Sequence, residues 1–109
     1  MKIGLYFNDQ GYMDLDLQEP QTGNNGIGGT QYCFIMLADA LVKYTNHEVV
    51  VFHFNNNLLP VGVQSVIISD KEELIERATN NNVDILLFKA EGVTPFVKAL
   101  RDSDLKCIV

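Results

Sequence analysis

Several things are scarce in this chain, and each scarcity closes off a class of function. Cysteine occurs only twice, at Cys33 and Cys107, in segments that read as a buried helix and a buried strand, with no CxxC spacing. That excludes a disulfide framework or a zinc ribbon and suits two core thiols in a reducing cytoplasm. Basic residues number 8 against 14 acids, a net charge of −6, and they are scattered. Nucleic-acid surfaces and polybasic membrane patches both need clustered Lys and Arg, so neither is expected. Long apolar runs are missing as well. Nothing approaches the roughly 20 apolar residues of a membrane span. The run "IGLYF" after Lys2 is ended by Asn8 and Asp9, so no secretory leader is expected.

What is present describes one globular domain. The chain has 109 residues, of which 47% are hydrophobic, enough for a single core but short for a complete two-domain enzyme. "KIGLYF" (2–7), "EVVVFHF" (48–54) and "VDILLF" (83–88) are short continuous apolar runs, as central parallel strands covered on both faces require. "VQSVII" (63–68) reads the same way more weakly, and "LKCIV" (105–109) starts another strand. Helical patterns at Thr30–Tyr44, Asp70–Asn80 and Pro95–Arg101 lie between them. Strands alternating with helices predict a doubly wound, Rossmann-like parallel α/β sheet in three layers. Only the connection "NNNLLPVG" (55–62) lacks a helix.

The helix boundaries carry their own signals. Ser69 and Glu72 have capping-box spacing, Thr94-Pro95 places a hydroxyl before a proline at a helix start, and "NNN" (80–82) suits a left-handed helix exit. The second helix separates Leu74, Ile75 and Ala78 from Lys71, Glu73, Glu76 and Arg77, as a surface helix over a sheet does. The first helix leaves only Gln31, Asp39 and Lys43 as a polar stripe. A helix so nearly apolar all round is buried on more than one side, and part of it is expected to await a partner surface.

Chemistry is concentrated between the first strand and the first helix. Asn8 to Gly29 is a loop of 22 residues, whereas βα loops are commonly about 2–6. It leaves the carboxyl end of a strand, the edge where doubly wound sheets bind ligands at the point of strand reversal. With strand order 3-2-1-4-5 that point lies between "KIGLYF" and "VDILLF", and the segment Lys89–Val93, with Lys89 and Glu91, faces the glycines across a crevice that Asn8 also lines. The first turn of a helix has unpaired amides and a partial positive charge that favour a phosphate or carboxylate. Gly28 and Gly29 remove side chains that would hold such an anion off, and Thr30 adds a hydroxyl. The alternative is that the glycines only make a turn. The loop is expected to be mobile without ligand.

Sharper motifs fail. "GIGGTQ" comes too late for a dinucleotide fingerprint and has Gln31 in its last position, and Phe54-Asn55 stand where that motif needs an acid. The GK[ST] of a phosphate-binding P-loop is missing. Asp14-Leu15-Asp16 has the spacing of a metal-dependent sugar transferase motif but reads here as two solvated loop acids. His47 reads as a helix C-cap and His53 as a hydrogen-bonded packing residue rather than a base. Asn8-Asp9 and Asp70 stand where a phosphoacceptor receiver has its acids, but receivers lack a 22-residue glycine-rich insertion there. No metal and no cofactor is expected.

"MKIGLYF" running into a long loop, then "GIGGTQYCFIMLADAL", then "HEVVVFHF", resembles the amino-terminal domain of GT-B glycosyltransferases, and most of all the retaining glycosyltransferase family four (group 1). The match covers residues 1–54, and the βα alternation extends it more generically to 109. The resemblance implies an enzyme that transfers a sugar from a nucleotide-sugar donor to a sugar or glycolipid acceptor with retention, in glycan or polysaccharide biosynthesis. Gly28, Gly29 and Thr30 match the family's glycine-rich loop near the donor diphosphate, and Gln31 stands where relatives often carry Glu. The family's second, nucleotide-binding domain with its pair of glutamates is not among these residues, and a histidine that follows its fifth strand would fall beyond Val109. The resemblance therefore implies a truncated amino-terminal, acceptor-side domain, inactive alone, with catalytic residues beyond Val109. The rival expectation is a self-contained Rossmann-like module that binds without catalysing.

Overall fold

The computed structural model describes residues 1–24, 26–89, 98–99, 101–103 and 106–108. The sheet is five-stranded, parallel throughout, and doubly wound. Its strands are β1 (Lys2–Tyr6), β2 (Glu48–His53), β3 (Gln64–Ile67), β4 (Ile85–Leu87) and β5 (Lys106–Ile108), in the order β3-β2-β1-β4-β5. The predicted strand reversal is thus present, between β1 and β4. Register is continuous across the middle, with Gly4 opposite Val50 on one side and Leu86 on the other.

Side-chain alternation sends the apolar runs to both faces. Leu5, Phe7, Val49 and Val51 face α1 (Gly29–Tyr44) and pack with Ile35 and Ala38. Tyr6, Val50, Phe52 and Leu86 face α2 (Glu73–Asn80) and pack with Leu74 and Ala78. Helices on opposite faces of one sheet make the three layers. Gly4 is where the second face closes most tightly, since a Cβ there would lie 3.0 Å from Val83 Cγ1.

Several expectations need correction. Cys33 is exposed, not buried, because it lies on the side of α1 turned away from the sheet, with Leu37 and Tyr44. The predicted uncovered apolar surface on α1 is therefore real among the described residues. Asp39, expected on the polar stripe, is 5% exposed and pairs with Lys43 Nζ at 3.0 Å. Thr45, rather than His47, closes α1: its amide and its hydroxyl both donate to the Leu41 carbonyl.

At α2 the capping box is displaced by one residue. Asp70 Oδ1 accepts the Glu73 amide at 3.1 Å, and the Glu73 carboxylate reaches back to the Ser69 amide. Glu72 has αR geometry and makes no side-chain cap. The Ser69 amide, above all, holds the Glu73 carboxyl below its ordinary value. Asn82 takes the expected left-handed exit, at φ 57°. Residues 98–99 and 101–102 are helical. The Thr94-Pro95 cap and the surroundings of Cys107 lie outside the described residues, and no described helix is long and apolar enough to cross a membrane.

Candidate functional site

The long loop after β1 is built rather than loose. Leu17 and Ile27 enter the α1-side core at 3% and 6% exposure, and residues Pro20–Thr22 form a 3-10 turn. Pro20 is buried, and its carbonyl accepts the Tyr32 hydroxyl of α1 at 2.8 Å. Asn24 folds the glycine stretch, its Oδ1 accepting the amides of Gly26 and Ile27 at 3.0 and 2.9 Å. The helix-free connection 55–62 packs along the same loop: Leu58 donates to the Leu15 carbonyl and accepts from the Leu17 amide. Two irregular segments thus supply each other's backbone hydrogen bonds, as buried loops must. The described residues of the loop are thus packed onto the domain.

Asp9 is the pin of this arrangement. It is fully buried, and its carboxylate accepts the Phe54 amide at 2.6 Å, the Asn57 side-chain amide at 2.8 Å and, at 3.0 Å, His53 Nδ1. Burial pushes the Asp9 carboxyl up, but the hydrogen bonds from His53, Phe54 and Asn57 and the nearness of His53 outweigh it and hold the group below its ordinary value. Asn55 adds bonds to the Asp9 and Tyr12 carbonyls at 2.8 and 2.9 Å. His53 is therefore buried and hydrogen-bonded on both ring nitrogens, to Asp9 and to Ser65. The part played by Asp9 escapes the sequence because its partners lie 44 to 48 residues away.

The glycines stand at the start of α1. Gly28 is the N-cap in extended geometry (φ −64°, ψ 160°) without a side-chain cap, and α1 has no acid in its first turn. The Gly28 amide donates to the Tyr12 hydroxyl at 3.1 Å. A Cβ on Gly28 would come within 2.5 Å of Gln31 Oε1, so the Gln31 side chain folds over it, whereas a Cβ on Gly29 would meet nothing within 4 Å. Neither glycine has positive φ; that conformation falls to Gly11, Gly23, Gly26 and Gly62. Neither position therefore needs the left-handed conformation that favours glycine.

Across the reversal point, Lys89 Nζ stands 3.5 Å from Thr30 Oγ1. An ammonium and an uncapped helix start meeting at one place form a locally positive corner on an acidic chain, suited to an anion. Of the other expected cleft residues, Asn8 is half-buried and its Oδ1 accepts the Gln10 amide at 3.1 Å, and Glu91 lies outside the described residues. Asp14 and Asp16 are exposed, and among the described residues no group of three His, Cys, Asp or Glu side chains could hold a metal.

Comparison of the chain with protein-family models, curated proteins and solved structures finds no match.

Proposed function

We propose that this chain is the amino-terminal, acceptor-side domain of a GT-B glycosyltransferase, acting in the cytoplasm on a nucleotide-sugar donor and a sugar or glycolipid acceptor. The observation that carries the reading is the corner where Gly28–Gln31 open α1 against Lys89, at the reversal of a 3-2-1-4-5 sheet. The donor diphosphate sits there, taking hydrogen bonds from the first-turn amides and Thr30, with Lys89 countering its charge. Gly29 leaves the approach open. The acceptor lies along the β1–α1 loop. A second domain outside these residues supplies the nucleotide pocket and the opposite wall, so the chain alone neither transfers sugar nor hydrolyses the donor: stabilising the transition state needs both walls.

Two measurements test the reading. Inorganic pyrophosphate titrated into the chain should shift the amide resonances of Gly29, Thr30, Gln31 and Lys89 selectively; unchanged resonances there would remove the diphosphate from this corner. In the full parent enzyme Gly29→Val should lower transfer by roughly 10²-fold or more, the scale on which a preorganised oxyanion donor acts, with little change in Tm. A parent that turns over no nucleotide-sugar would leave the binding-module reading standing instead.

A further inference from the structure

Away from that corner, three side chains far apart in sequence meet at the edge of the sheet. β3 ends the strand order, so one of its sides is open. Ser65 on this strand is exposed, and its Oγ lies 2.6 Å from Nε2 of His53 on β2. His53 is 1% exposed, and its Nδ1 lies 3.0 Å from Oδ2 of the fully buried Asp9. The order is surface hydroxyl, buried imidazole, buried carboxylate.

The hydrogen-bond inventory sets the direction of the chain. The Asp9 carboxylate is held in its ionised form by the Phe54, Asn55 and Asn57 donors and can only accept. His53 Nδ1 must therefore carry a proton, which in the neutral imidazole leaves Nε2 as the acceptor for the Ser65 hydroxyl. A nucleophile bonded to a base whose other nitrogen is oriented by a buried carboxylate is the arrangement of serine hydrolases, recognised by geometry and not by fold. Two further features serve acyl chemistry. The Ile68 amide donates inward to the His53 carbonyl at 2.8 Å, so by strand alternation the Ser65 amide points to the open edge, where it can donate to an oxyanion. Two residues further along the same strand, Ile67 helps to line a depression of about 340 Å³ with Met13, Asp14, Phe54, Asn55 and Asn56, room for a small acyl or alkyl group.

We infer that Ser65, His53 and Asp9 form a nucleophilic triad that accepts acyl groups from small activated esters. Ser65 Oγ attacks the ester carbonyl while its proton passes to His53 Nε2. The tetrahedral intermediate collapses by breaking the bond to the leaving alcohol, which takes that proton. Water then attacks the acyl-serine carbonyl, giving a proton to His53, and Ser65 Oγ leaves and recovers it. Ester and water become carboxylic acid and alcohol, with no co-reactant.

The test uses an alkyl fluorophosphonate as probe, with adducts located by peptide mass mapping. In the folded chain Ser65 should react about 10²-fold or more faster than in the urea-unfolded chain, the range of a positioned general base, while exposed Ser69 reacts equally slowly in both. Ser65→Ala should abolish the fast adduct, and p-nitrophenyl acetate should acylate the same residue. His53→Gln should remove the rate advantage wherever it folds, and the folded-to-unfolded comparison on the unaltered chain carries the test if that variant does not. Labelling of Ser65 no faster in the folded than in the unfolded chain, or equal labelling of Ser69, would show that the three groups are only a packing network.

Discussion

At the scale of single residues, Asp9 concentrates more of the structure than any other polar side chain described. Its carboxylate joins the end of β1 to the chain leaving β2, and no buried side-chain polar atom among the described residues is left without a partner. Asp9→Asn would turn an amide donor toward the donors of Phe54, Asn57 and His53. Leaving such groups unsatisfied costs about 2 kcal/mol or more, measurable by urea unfolding. The same carboxyl gives the fold an acid limit. A carboxyl whose native pKa lies below its unfolded value of about 3.8 stabilises the fold at pH values above that unfolded value. The contribution is lost as pH falls through the native value. Unfolding free energy should therefore drop below about pH 4 in the unaltered chain and drop less steeply in Asp9→Asn. Parallel pH profiles would assign the acid sensitivity to other carboxyls.

At the scale of elements, the two long helices begin in opposite ways. α2 is closed by its own side chains, Asp70 capping the Glu73 amide and Glu73 reaching Ser69. Asp70→Ala should cost about 1 kcal/mol. Ser69→Ala should cost less, because the backbone amide that binds Glu73 survives it. The reverse ranking in urea midpoints would restore the box to Ser69. α1 begins without an acid in its first turn and without a side-chain cap. That contrast is the reason the proposed anion is assigned to the start of α1 and not to that of α2. Along its length α1 buries Ile35 and Ala38 but exposes Cys33 and Leu37, so its apolar circumference exceeds what one sheet face can cover.

At the scale of the whole molecule, the segment between β1 and α1 is anchored to the core by Leu17 and Ile27. Leu17 sits in the same cluster as Phe7, Ile35 and Val51. Leu17→Ala should lower stability by about 2–4 kcal/mol, as core truncations do, and the amides of Leu17 and Leu58 should exchange only with opening of the α1-side core. A loss below about 0.5 kcal/mol, the scale of surface substitutions, would mean that the loop folds apart from the domain.

The sequence by itself determined what depends on near neighbours. Uninterrupted apolar runs require strands buried on both faces, and their alternation with helices requires a parallel sheet. Gly28 and Gly29 open a helix whose period is visible from Thr30 to Tyr44, and Asn82 marks the exit of another. Tertiary structure alone decided what depends on distant partners. Cys33 and Asp39 exchanged their expected environments because an almost wholly apolar helix does not reveal which arc faces the sheet. The packing of the long loop was not legible because Leu17 and Ile27 find a core, and Leu58 a backbone partner, only once the chain has folded. Lys89 meets Thr30 across 59 residues, and Asp9, His53 and Ser65 meet only when β1, β2 and β3 lie side by side. No local pattern encodes such meetings, since the strand order that creates them is set by the packing of the whole sheet.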